Sequence, residues 1–320
     1  MAQKLIVILG ATGGQGGSVI NAFLGQEGWK IRAVTRDPNS ARAKKLQQQG
    51  IEVVKADISD KNSLIAAFQN ATAIFAVTDF WVPYLTYLSA AEAQDLEYTQ
   101  GRNIADAAST ISTLEHLIWS TLPSADAISG GTLLVPHFDG KVLVDKYIQA
   151  SPLKDKTTFY WVGFYTGNLH WGPLQPAKFV QDGKTTYTHI LPVSPDTLIP
   201  GLVDHSADVG RVASAIISQP QKTLGKYVWA TNTDNHTIGE IFAEVAKSAG
   251  MKDAKYLQVT DQSFENLYGK VGVELGVMFK LWEKYGGSSG GQEVILPGEL
   301  GIKLKSLKEY LKEQDFSVYL

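Results

Sequence analysis

The 320-residue chain is 44% hydrophobic and 19% charged, which allows a sizeable core and excludes global disorder. Lys and Arg number 29 against 32 Asp and Glu, and the resulting net charge of −3 argues against a nucleic-acid-binding surface as the main role. The absence of cysteine excludes disulfides, zinc–thiolate sites, a cysteine nucleophile and thiol-based redox sensing.

No segment approaches the roughly 20 apolar residues of a membrane span. Met1 to Lys4 runs straight into a short apolar stretch and then glycines, without the longer apolar region of a signal peptide. The expectation is a cytoplasmic protein with no membrane partner, the nucleus being the alternative compartment.

In chain order, Leu5–Leu9 reads as a strand, Ser18–Leu24 as a helix and Lys30–Val34 as a second strand. Ala41–Gln49 is a polar-faced helix ended by Gly50. Glu52–Lys55 is a third strand, Lys61–Phe68 a helix and Ala73–Val77 a fourth strand. A long helix covers about Ala90–Ser109, followed by strand His116–Ser120, helix Phe138–Ala150 and strand Thr158–Gly163.

Such alternation implies parallel strands with helices on both faces, an α/β doubly wound sheet of the Rossmann type. These sheets bind ligands beyond the carboxyl ends of the strands, where the strand order switches. After Gly163 the pattern loosens into an aromatic- and proline-rich stretch. Ala207–Ser218 is again helical, Tyr227–Ala230 strand-like, and residues 237–315 mostly helical. The expected division is a Rossmann domain over residues 1–163 plus about 206–235. A smaller, mostly helical C-terminal substrate lobe takes residues 164–205 and 236–320.

The segment Gly10-Ala11-Thr12-Gly13-Gly14-Gln15-Gly16 follows the first strand and opens the first helix. A turn this tight needs residues without Cβ, and glycine lets a pyrophosphate reach the amides at the helix N-terminus. The residue about 20 positions on decides the cofactor: an acidic side chain binds the ribose of NAD. Here Arg36 occupies that place, with Arg42, Lys44 and Lys45 behind it. A guanidinium pairs with a 2′-phosphate, so the reading is NADP(H). The rival is that Arg36 is a solvated cation and Asp37 takes the ribose of NAD. Asp57, ending the third strand, either borders the adenine or caps the next turn.

These residues, with Val34-Thr35-Arg36-Asp37-Pro38, Val77-Thr78-Asp79-Phe80-Trp81 and His137-Phe138-Asp139-Gly140-Lys141, resemble the NmrA-like family of atypical short-chain dehydrogenase/reductases. Gly163-Phe164-Tyr165-Thr166-Gly167-Asn168-Leu169 and the helix Glu274 to Glu283 resemble it as well, nearest to fungal members. The resemblance implies a Rossmann domain that binds NADP(H) and a small C-terminal lobe. On its motifs Gly10, Thr12, Gly13, Gln15, Gly16, Arg36, Asp57, Thr78, Lys141 and Tyr165 are the cofactor-binding set. The family includes sensors that report the NADP(H) ratio to transcription factors, and it neighbours biosynthetic reductases.

Standard short-chain reductases use Tyr-x-x-x-Lys, whose i, i+4 spacing puts both side chains on one helix face. Here the pattern is His137-x-x-x-Lys141, so the tyrosine is gone and the lysine remains. Lys141 is read as a cofactor ligand, as a proton-transfer group, or as an exposed helical lysine. His137 could supply a proton near neutral pH. Asp79 is either a carboxylate facing a cationic substrate or a turn and helix cap.

Phe80, Trp81, Ser120, Tyr165, Asn168 and Trp171 are the expected substrate pocket, suited to a flat organic ligand. No metal cluster is visible, and His116, His189, His205 and His236 each read as structural. The expectation is a monomer or homodimer. It is either a biosynthetic enzyme that acts on an aromatic, including a nitrogen-containing, small molecule with NADPH as hydride donor, or a sensor that binds a regulatory protein. The third alternative is a non-redox condensing or isomerising enzyme that retains NADPH.

Overall fold

The computed structural model describes residues 3–232 and 236–316. The chain begins with β1 (Lys4–Ile8), α1 (Gly14–Phe23), β2 (Trp29–Thr35), α2 (Ala41–Gln48), β3 (Glu52–Lys55), α3 (Lys61–Ala67) and β4 (Ala73–Ala76). It continues through α4 (Trp81–Thr86), α5 (Ala90–Ser109), β5 (His116–Thr121), α6 (Ala125–Ser129), α7 (Pro136–Gln149) and β6 (Thr157–Val162). Short β7 (Phe164–Tyr165) leads to β8 (Ala177–Gln181), β9 (Lys184–Leu191), β10 (Leu198–Ile199) and β11 (Leu202–Val203). Next come α8 (Asp208–Ser218), α9 (Pro220–Thr223), β12 (Tyr227–Ala230), β13 (His236–Thr237) and α10 (Ile238–Ser248). The chain closes with β14 (Ala254–Gln258), α11 (Asp261–Tyr268), α12 (Lys270–Tyr285), β15 (Val294–Ile295) and α13 (Leu307–Lys312).

The main sheet has eight strands in the order β15-β12-β6-β5-β4-β1-β2-β3. Its strands all pair in parallel. β4, β5 and β6 are buried at every position, as expected for strands covered on both faces by crossover helices. The strand order reverses between β1 and β4, so a crevice opens beyond their carboxyl ends. Helix α5, started by a Ser89–Glu92 capping box, lays Ala93, Glu97, Ile104 and Ala108 against one face.

The lobe combines α10 to α13 with a three-stranded sheet in the order β14-β9-β8. Its core gathers Phe242, Phe264, Phe279 and Trp282 with Leu191 and Val193. β15 leaves the lobe to pair with β12 in the main sheet, and Leu300 and Leu304 join the apolar cluster of Val19 and Val212.

Three features differ from the sequence reading. Helix α1 starts at Gly14 rather than Ser18, because its glycines serve the close turn with β1 rather than ending the helix. Trp81–Thr86 forms a helix, where the sequence reading placed no element. Strands β8 and β14 lie where no alternation shows, since each is exposed or half-exposed along its length and lacks a buried face to pattern.

Candidate active site

The turn after β1 is built by close approach. Gly10 sits at φ +62°, and a Cβ on Gly16 would lie 2.2 Å from the Gly10 carbonyl oxygen, so neither position admits a side chain without strain. Gly13 precedes α1 with no side-chain cap. The first-turn amides of α1 therefore have no side-chain partner from the cap position. Beside them runs a cleft of about 1440 Å³, larger than the roughly 300–1,000 Å³ of an ordinary small-ligand pocket. It extends from Arg36, Asp37 and Asp57, past Gly10 to Gly16, to His137, Lys141, Asn168 and Trp171. The sequence-predicted residues after β1, β2, β3, β4 and β6 thus line one cleft, and Ser120 at the end of β5 joins it by a hydrogen bond to Gln15.

At one end, Arg36 lines the cleft, and no described residue forms an ion pair with it. Asp37 Oδ1 instead accepts the Asn39 amide at 2.9 Å, in the turn that leads to α2. Arg42 donates to the Thr12 carbonyl at 3.1 Å and ties α2 to the glycine turn. Asp57 Oδ1 accepts the Ser59 amide at 2.8 Å and so caps its own turn while bordering the cleft.

In the middle, Ser120 Oγ donates to Gln15 Oε1 at 2.8 Å, and Gln15 Nε2 donates to the Tyr165 hydroxyl. This chain links the ends of β5 and β6 to the glycine turn. Burial pushes the Tyr165 phenol up to about 12. Its ring stacks on His205 at 4.8 Å and 21°. A Cβ on Gly14 or on Gly167 would lie 2.4 Å from that imidazole, so His205 is wedged between two glycine backbones. His205, read from sequence as structural, also lines the cleft. Its sequence neighbours, Asp204 and Ser206, gave no sign that two distant glycines would receive it.

Farther along, Lys141 lies on α7 and is buried, which removes the reading of an exposed helical lysine. Its ammonium donates to Glu97 Oε1 at 2.6 Å and to Thr78 Oγ1 at 2.9 Å, with the Thr78 carbonyl only at 3.4 Å. Thr78 Oγ1 donates in turn to Glu97 Oε1 at 2.8 Å. Glu97 is fully buried, and its Oε2 has no hydrogen-bond partner among the described residues.

One helical turn before Lys141, His137 meets Glu274 of α12. Glu274 Oε1 accepts both the His137 amide at 2.9 Å and the ring Nδ1–H at 2.6 Å. The imidazole is held among Phe138, Trp81 and Phe80 at centroid distances of 4.7, 4.9 and 5.8 Å. Trp171 meets Trp81 edge-on at 5.7 Å and stands at the rim. Asp79 Oδ1 accepts the amides of Trp81 and Val82 at 2.9 and 3.2 Å, the cap of α4. Among the described residues no group of three or more His, Asp or Glu side chains forms a metal-binding cluster, and no helix is long and apolar enough to cross a membrane.

Glu97 and Glu274 escaped the sequence reading, yet each leaves a trace. Glu97 falls on the stripe Ala93, Glu97, Ile104 of α5, and Glu274 on the stripe Glu274, Leu275, Met278, Trp282 of α12. A carboxylate at an apolar-face position needs a buried partner.

The model of the NmrA-like family matches residues 2–320. The chain is 29% identical over 266 residues to an NmrA-like family domain-containing oxidoreductase, notA, of Aspergillus sp. (strain MF297-2), covering 81% of this chain and 77% of that protein. Among solved structures it is similar to NmrA, a negative transcriptional regulator, in complex with NADP, at TM-score 0.72 and 21% identity. That match covers 98% of this chain and 95% of the other, and NmrA has also been solved with NAD. It is similar as well to the NADPH-dependent quinone oxidoreductase QOR2 of Escherichia coli, at TM-score 0.72 and 21% identity, over 96% and 98% of the two chains.

Proposed function

The chain belongs to the NmrA-like family, and on that premise we propose that it is an NADPH-dependent oxidoreductase acting on a planar aromatic small molecule. The observation that carries this reading is one cleft that runs from Arg36 past the glycine-turn helix N-terminus to an aromatic wall. The residues fit a dinucleotide: Gly10 and Gly16 stand where the turn admits no side chain, and Arg36 lines the cleft with no ion-pair partner among the described residues. In this reading the α1 amides hold the pyrophosphate, Arg36 the 2′-phosphate, and Lys141 a ribose hydroxyl at the nicotinamide end. The dinucleotide, when bound, supplies a hydride.

The chain's own residues do the rest. Gln15, fixed by Ser120 and Tyr165, sets the floor of the cleft. Trp81 and Trp171, with Phe80 packed behind Trp81, present ring faces and edges to a flat ligand. Relatives named as fungal NmrA-like oxidoreductases support the oxidoreductase reading.

The rival reading, a sensor, is favoured by the missing tyrosine and by the likeness to a transcriptional regulator. The test is transfer of deuterium from 4-deuterated NADPH to a panel of aromatic carbonyl, iminium and quinone acceptors. Label in product supports the reductase. An NADPH-binding protein that labels none of them is left as the sensor or the non-redox enzyme.

A further inference from the structure

Resting on that reading, we infer that His137 and Glu274 are a proton-delivering couple that stands in for the absent tyrosine, His137 as the donor and Glu274 as the residue that positions it. The reacting group they fit is a neutral aromatic carbonyl, which must gain a proton as well as a hydride.

The geometry sets each role. Glu274 Oε1 takes both the amide and the Nδ1–H of His137, at 2.9 and 2.6 Å. Two bonds to one oxygen fix the ring's orientation and assign the Nδ1 proton, as the third member of a nucleophile–histidine–carboxylate set does. Nε2 is then the ring nitrogen left for a ligand: His137 lines the cleft, and no hydrogen bond to Nε2 is formed by a described residue. Glu274 is 2% exposed, so the contact between its carboxylate and the ring is shielded from water. Phe80, Trp81 and Phe138 around the imidazole hold it against rotation.

Four other polar groups near the cleft already have partners. The Tyr165 phenol is pushed up to about 12 and bonded to Gln15. The Tyr84 hydroxyl donates to the Lys270 carbonyl at 2.7 Å. The Lys141 ammonium is paired with Glu97 at 2.6 Å. Asp79 caps α4 through Trp81 and Val82.

The step balances. As a hydride from the dihydronicotinamide reaches the carbonyl carbon, the carbon–oxygen π pair moves to oxygen. That oxygen takes the proton from Nε2. The N–H bond breaks, an O–H bond forms, the carbonyl is reduced to an alcohol, the dinucleotide is oxidised, and the imidazolium returns to neutral imidazole. Glu274 belongs to the lobe and His137 to the Rossmann unit, so the couple exists only when the two are seated together.

The experiment compares two hydride acceptors. 2-Naphthaldehyde needs a proton on oxygen, whereas the triphenylmethylium cation of malachite green takes a hydride alone. His137→Asn is expected to lower the aldehyde-to-dye rate ratio by about a hundredfold, the scale of a positioned general acid. Glu274→Gln, which keeps an acceptor oxygen but removes the charge, is expected to lower the ratio by about tenfold. A purely structural role slows both acceptors alike and leaves the ratio in place, which overturns the couple.

A second readout needs no cofactor. In ¹⁵N-histidine spectra of the unloaded protein, 2-naphthamide is expected to move the Nε2 resonance of His137, identified by its loss in His137→Asn. An unmoved resonance overturns the assignment. If the parent reduces the dye but not the aldehyde, the couple falls while the hydride-transfer reading stands; if it reduces neither, both fall.

Discussion

Replacing Lys141 by Met tests whether the buried cluster beneath the cleft is held by charge pairing. The parent places Nζ 2.6 Å from Glu97 Oε1 and 2.9 Å from Thr78 Oγ1, with Glu97 fully buried. Removing the cation leaves an anion in the core with one oxygen already unpartnered and the other keeping only the Thr78 hydroxyl. Breaking a buried pair from one side costs about 3–5 kcal/mol. At roughly 2–4 °C per kcal/mol, the melting temperature of Lys141→Met should fall by about 6–20 °C. The double variant Lys141→Met/Glu97→Leu removes both charges and should recover most of that loss, because an apolar pair of similar volume is near neutral. Thermal and urea denaturation of parent, both single variants and the double variant complete the cycle, with a coupling of a few kcal/mol expected. Additive losses, or a Lys141→Met protein within about 1 kcal/mol of the parent, would show that the cluster is not held by the ion pair.

Three further outcomes follow from particular residues. Arg36→Ala should weaken NADPH by about ten- to a hundredfold and barely change NADH, since a charge-assisted contact is worth about 1.5–3 kcal/mol; calorimetric titration of both cofactors decides it. Gly13→Val should fold, because φ is −99° there, yet block NADPH by filling the space against the glycine turn; full NADPH fluorescence enhancement in a folded variant refutes that. Asp145 is raised from 3.8 to about 7 by burial, against the hydrogen bonds donated by Trp119 and Tyr227. A carboxyl whose folded value is raised stabilises most below its unfolded value, and that contribution is lost as pH rises from about 4 to about 7, by up to about 4 kcal/mol. Asp145→Asn should flatten this part of the stability profile, and an unchanged profile between pH 4 and 7 sinks the assignment.

The sequence by itself determined the parallel sheet, the glycine turn, the basic residue after β2 and the loss of the reductase tyrosine. These are local signals: a strand's apolar run, a turn that bars Cβ, a helix spacing of four residues. Glu52–Lys55 and Tyr227–Ala230 emerge with their bounds unchanged, since each is a short β-branched or aromatic run between breaks. What only the tertiary structure decided is which distant group each site residue meets. Glu97 lies 44 residues from Lys141, Glu274 137 residues from His137, and Tyr165 150 residues from Gln15. No periodicity encodes a partner across such separations. A buried charge announces that it needs one, but the crossing of α5, α7 and α12 selects it. The same crossing turns a lysine legible as exposed or buried into a paired core cation, and a lone histidine into one whose Nδ1 is fixed by a carboxylate.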